Sequence, residues 1–110
     1  MDSAPRRLSS APREGGPNQE FALAAAQSIH NMKGVAVVGI DTDGTDGPTD
    51  LAGAIVDGDT EASAQELGID IFKTLKKHDV SADLRKLEDA IEAGNTGTNV
   101  NDLKFMIIAP

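Results

Sequence analysis

Cysteine, tryptophan and tyrosine are missing from this chain, and its only aromatics are Phe21, Phe72 and Phe105. Without cysteine there is no disulfide scaffold, no thiolate metal centre and no cysteine nucleophile, which fits a reducing compartment. With so few aromatics, the core has to be aliphatic and closely spaced, drawn mainly from the Ala, Val, Ile and Leu that dominate the 39% apolar fraction. Positive charge is scarce too: ten Lys and Arg against eighteen Asp and Glu leave a formal charge of -8. Phosphate neutralisation needs clustered cations, so the balance argues against a nucleic-acid partner and disfavours an anionic membrane surface. No apolar run approaches the roughly 18 residues of a membrane span, and the N-terminus lacks the apolar core of a secretory signal. A soluble, cytoplasmic protein is the expectation. A length of 110 residues allows one domain and not two.

Residues 1–16, MDSAPRRLSSAPREGG, hold almost nothing to bury and read as a disordered leader, with an organellar transit peptide as the weaker alternative given Asp2 and Glu14. The domain is expected over 17–110. Asn18 is placed to cap a helix through QEFALAAAQSIHNM, with Phe21, Ala24, Ala25, Ser28 and Met32 near one face and Gly34 ending it. VAVVGI is a continuous apolar run with β-branched residues, which predicts an interior strand covered on both faces. LAGAIV reads as a second strand, followed by a turn at Asp57-Gly58. Thr60 and Gly68 bracket a short helix, and Asp70 is placed to cap another ending at Lys76, Lys77 and His78. Ser81 is expected to cap a third, carrying Leu84, Leu87 and Ile91 to a stop at Gly94, before LKFMII closes the domain as a buried strand. The fold class that follows is α/β: a small single-domain layered sheet with flanking helices.

Two loops could carry chemistry. GIDTDGTDGPTD (39–50) follows the first strand, the position at which open α/β sheets build their ligand crevices. From Gly34 to Phe72 there are nine Asp and Glu and not one Lys or Arg, a repulsion that a divalent cation or a basic neighbouring surface would relieve. The spacing is not that of an EF-hand, because Asp46 stands where glycine is needed and Ala52 where the bidentate Glu belongs. Mg²⁺ suits such hard oxygen ligands, and a polar turn whose Asp side chains cap their own backbone would leave the same pattern. The second loop, GNTGTNVND (94–102), can expose successive N–H groups as an anion cradle, or be an ordinary helix-to-strand connection. His30 and His78 sit near predicted helix ends, where the negative helix terminus accounts for them.

Three separated stretches, GGPNQEFALAAA, GTDGPTDLAGAIVDG and GNTGTNVNDL, together resemble the MOFRL domain, the C-terminal half of class II glycerate kinases, some of which carry the older label hydroxypyruvate reductase. The likeness runs from about Gly15 to Ile108. It implies a domain facing a larger N-terminal kinase domain across a cleft in which ATP with Mg²⁺ phosphorylates glycerate. By the same resemblance Asp43 is the candidate catalytic residue, Gly44, Thr45 and Asp46 shape the substrate site, and Asp43 with Asp46 would hold the metal. Thr98, Asn99, Asn101 and Asp102 would line the cleft from the other side. Two features depart from the pattern. Pro17 stands where the family's first motif has arginine, which removes an anion contact that phosphoryl transfer would use. The N-terminal kinase domain is not in this sequence. Two readings result: a portion of a glycerate kinase, inactive alone, or a stand-alone module that docks onto another protein or pairs as a homodimer through an exposed apolar face.

Overall fold

Helix α1 (Pro17–Ser28) begins with a proline in its first turn, where the missing N–H is one the helix would leave unbonded anyway. The computed structural model describes residues 15–42, 44–47, 49–92 and 102–109, so the expected leader up to Glu14 lies outside them. Gly16, not Asn18, occupies the cap position, and Asn18 lies inside the helix. The buried stripe also differs from the expected one: Gln19, Ala22, Leu23 and Ala26 face the core, while Phe21, Ala24 and Ser28 are exposed. Both sets recur at helical spacing, so the pattern by itself does not choose between them. The helix instead turns its small residues inward, which lets it lie close to the sheet.

Strand β1 (Val35–Asp41) pairs antiparallel with β2 (Gly53–Asp57) on one side and with β4 (Asp102–Ile108) on the other. Three helices follow β2: α2 (Thr60–Glu66), α3 (Ile71–Lys76) and α4 (Ser81–Leu87). The two-residue strand β3 (Ala90–Ile91) then pairs with β2, giving the order β3-β2-β1-β4. The expected layered α/β domain is therefore present, with an antiparallel sheet. Crevice placement in open parallel sheets consequently does not govern the acidic loop, which is the hairpin connection from β1 to β2.

Opposite residues of antiparallel strands share a face. Val35, Val37, Ala54 and Val56 face α1 and, with Ala22, Leu23, Ala26, Ile29, Ala64, Ile69, Ile71, Val80 and Leu84, form one aliphatic core. Gly39 is required on that face, because a side chain there would meet the Asn18 carbonyl 2.5 Å away. The other face carries Ala36, Val38, Ile40, Ile55, Leu103, Phe105 and Ile107, and Leu103, Phe105 and Ile107 are nearly half exposed. Two expectations are corrected here. β1 is interior, but among the described residues helices cover it on one face only, and β4 is exposed along its whole length. An apolar strand records that something covers it, and nothing in the described residues does.

α4 also ends earlier than the Leu84, Leu87, Ile91 spacing implied. Glu88 adopts the left-handed conformation (φ 62°) just after Leu87, and Ile91 joins the sheet, where its carbonyl accepts from Ala52 N at 2.8 Å. Pairing the outer edge of β2 outweighs one more helical turn. The short helices before it match expectation. The Asp70 carboxylate accepts from Lys73 N at 3.2 Å, and Gly68 (φ 74°) closes α2.

Candidate functional site

The acidic loop is tied to α1 by a buried polar junction. Asp46 has no exposed surface, and its carboxylate accepts three hydrogen bonds. Oδ1 takes Asn18 N at 3.1 Å and Asn18 Nδ2 at 3.0 Å, and Oδ2 takes Gln19 N at 2.8 Å. These backbone groups belong to the first turn of α1, whose N–H groups lack helical partners and favour a negative charge. The cap missing from Gly16 is thus supplied from 28 residues away. A side chain at position 16 would overlap both the carbonyl and the carboxylate of Asp46, so the glycine is what permits this approach.

Gln19 carries the junction inward. Its Nε2 donates to Thr49 Oγ1 at 2.9 Å, and its Oε1 accepts from Ser81 Oγ at 2.5 Å. Thr49 Oγ1 in turn donates to the Asp46 carbonyl at 2.8 Å and accepts from Leu51 N at 3.2 Å. The start of α1, the acidic loop and the start of α4 are joined by side chains that are all buried. Ser81, expected as a cap, sits inside the first turn of α4 and serves this network. Sequence reasoning passed over Gln19 and Thr49. The available signal was a polar residue at position 19, four before Leu23 in the stripe.

The sheet register brings the flanks of both loops to one end of the sheet. Asp41, where the acidic loop leaves β1, is the direct partner of Asp102, where β4 begins. Ile91, the last residue of β3, pairs with Gly53 at that same end. Asp41 and Asp102 therefore share a face with Cβ atoms about 5 Å apart, a like-charge pair that costs stability unless something positive compensates. Lys104 lies on the same face, with Nζ 3.8 Å from Asp102 Oδ2 and 5.8 Å from the centre of the Phe21 ring. From the other side Arg85 of α4 pairs with Asp50 at 2.5 Å, so the chain meets part of its own acidity.

Of the candidate residues, Gly44, Thr45, Asp46 and Asp102 are described, and Asp43, Thr98, Asn99 and Asn101 lie outside the described residues. Gly44 is buried with φ 92°, and its N–H bonds the Asp41 carbonyl at 3.0 Å, which makes the first bend of the loop. Thr45 is partly exposed beside it. Asp46 does not fit a metal role well, since its oxygens are buried and already accept three N–H groups. Among the described residues no three His, Cys, Asp or Glu side chains converge as a metal would require. Pro17 is exposed at the head of α1, with its Cδ close to Gly47 of the acidic loop, so a longer side chain at this position would start beside that loop.

One polar atom in the junction lacks a partner: Asn18 Oδ1 is buried and accepts no hydrogen bond. Away from the site, His78 follows α3 with φ 54° and pairs with Glu20 at 2.9 Å, tying that helix end to α1. Asp89 is half-buried at the far side of β2, and burial pushes its carboxyl up from 3.8 to about 6. The Thr60 hydroxyl, donating at 3.0 Å, opposes that shift, while Asp57 and Glu88 add to it. No described helix is long and apolar enough to cross a membrane.

Residues 7–102 match the MOFRL family. A glycerate 2-kinase from Pyrococcus horikoshii is 48% identical over 95 residues, covering 86% of this chain and 21% of that protein. A relative from Agrobacterium vitis that bears the hydroxypyruvate reductase label is 38% identical over 94 residues, or 86% of this chain and 22% of that protein. The crystal structure of a glycerate kinase from Thermotoga maritima superposes with a TM-score of 0.85 at 42% identity, over 96% of this chain and 25% of that one. The chain therefore spans about a fifth of the length of the curated relatives it matches.

Proposed function

Because this chain belongs to the MOFRL family, we propose that it is a portion of a glycerate kinase and forms one wall of the cleft in which ATP phosphorylates glycerate, inactive by itself. The observation that carries this reading is the strand register. The start of α1, the acidic loop and the start of β4 meet at one end of the sheet, and they carry the first MOFRL-like stretch, the start of the second and the last two residues of the third.

In this reading Asp46 is a positioning residue, holding the acidic loop on α1 so that Asp43, Gly44 and Thr45 are presented to the cleft. Asp43 positions the substrate or takes the proton of the reacting hydroxyl. Mg²⁺, which phosphoryl transfer uses to neutralise the phosphate charge, would be held by Asp43 with groups of the remainder of the kinase. By the family resemblance Thr98, Asn99, Asn101 and Asp102 are assigned to the opposite side of the cleft. The net charge of -8 works against the approach of both ATP and glycerate, which favours a basic contribution from the rest of the kinase. A stand-alone docking module is the second reading, favoured by the uncovered apolar face of the sheet.

The test is a fusion in which this chain replaces the matched part of the Thermotoga maritima glycerate kinase, assayed for glycerate-dependent ADP formation. Activity is expected, and it should rise in Pro17→Arg, where the new guanidinium lies beside the acidic loop. A folded fusion without glycerate-dependent turnover would leave the docking module as the better reading. If Pro17→Arg brings no gain, the anion-contact argument is wrong.

A further inference from the structure

The largest feature that the proposed cleft does not use is the face of the sheet opposite α1. Leu103, Phe105, Ile107 and Ile55 are between 39% and 49% exposed there, while Met106 and Ile108, also exposed on this outer strand, pair with Val37 and Val35 and so belong to the α1 side. The four on the open face offer on the order of 350 Å² of apolar surface, comparable to the largest patch on a typical monomer and a little under half of the roughly 800 Å² that each partner contributes to a standard interface. β4 ends the strand order, so one side of its backbone has no strand partner among the described residues. Natural edge strands are usually short, bulged, charged or interrupted by proline. β4 runs seven residues with six paired positions after Asp102, and beyond Asp102 its only charge is Lys104, which lies on the α1 side.

We propose that this face and the outer edge of β4 are the seat for the remainder of a glycerate kinase chain, which adds a strand beside β4 and covers Leu103, Phe105 and Ile107. The proposal rests on the reading that such a remainder is this chain's partner. Two observations select that occupant over a second copy. The relatives carry about four fifths of their length outside the matched part, enough to supply both a strand and a covering layer. Each copy of this chain carries a charge of -8, so pairing two would concentrate acidity that an unlike partner need not bring.

The absence of cysteine makes the test direct, since one introduced thiol is unique in the isolated chain. Phe105→Cys and Phe72→Cys, the latter 61% exposed on α3, are prepared in the isolated chain and in the Thermotoga maritima fusion, and maleimide labelling is followed by peptide mass spectrometry. Phe105→Cys should label at least about tenfold more slowly in the fusion than in the isolated chain, with little change for Phe72→Cys. Equal rates for Phe105→Cys in both settings would overturn the proposal. So would an isolated chain that already protects this thiol and sediments as a dimer, because a second copy would then hold the face. Rapid labelling of the core variant Val56→Cys in the fusion would mean the remainder is not accepted, which also overturns it. Glycerate turnover in the same fusion is read separately, so protection without turnover defeats the kinase reading and leaves the seat, and turnover without protection does the reverse.

Discussion

The two faces of the sheet are cut from the same strands and the same residue types, yet they have opposite fates. Towards α1, Val35, Val37, Ala54 and Val56 are buried in the core that α1 shares with residues of the other helices. On the reverse, Ile55, Leu103, Phe105 and Ile107 are as apolar and stand exposed. Val38 is 5% exposed on that side, where its strand partners are Ile55 and Phe105. The contrast shows that a continuous apolar strand encodes two covering layers, and that the described residues supply one. The helix-covered face also hosts the polar junction around Asp46, where every buried group but Asn18 Oδ1 is satisfied.

The sharpest way to break the comparison is Asp46→Ala. It strands three buried donors at about 1–3 kcal/mol each, so a loss on the order of 4 kcal/mol in urea unfolding is expected, with Asp46→Asn milder. Next comes a matched truncation on the two faces. Leu84→Ala, fully buried, should cost about 3 kcal/mol, whereas Phe105→Ala on the open face should cost under about 1 kcal/mol in the isolated chain. Comparable losses would mean the open face is already covered.

Smaller effects come from charge. The Asp89 carboxyl is raised from 3.8 to about 6, so its ionisation opposes folding. That penalty is absent below pH 3.8, grows as pH rises through about 6 and is complete above it. Asp89→Asn should therefore stabilise by about 1 kcal/mol at pH 7.5, after allowing for its partial exposure, and by little at pH 4. Thermal melts of both proteins at the two pH values check the sign. The smallest effect is expected for Arg85→Ala, whose partner Asp50 is largely exposed: under about 1 kcal/mol, shrinking further in high salt.

Much of the fold was legible, because local chemistry decided it. Asp70 caps α3 through Lys73 N, Gly68 supplies the left-handed turn after α2, and the β1, β2 and β4 segments were found from their apolar β-branched runs. The failures fall where a distant partner overrides a local preference. Ile91 left the expected helix to pair with β2, and Phe21 lost the core to the smaller Ala22, Leu23 and Ala26 because α1 lies close against Gly39. In the candidate site, the three motifs were readable as resemblances, but the work of Gln19, Thr49 and Ser81 was not, because their bonds span 30 to 62 residues.

Composition and pattern alone determined a small aliphatic α/β domain, strongly acidic and without thiol chemistry, whose motifs resemble one family. Each of these is a property of residues near one another in the chain or of their sum. Only the tertiary structure decided that the sheet is antiparallel, that Asp46 caps a helix far from it in sequence, that Asp41 stands beside Asp102, and that the described helices cover one face of the sheet and leave the other open. Those outcomes depend on which strand lies next to which, and pairing partners are chosen by long-range packing and register, which no short stretch of sequence contains.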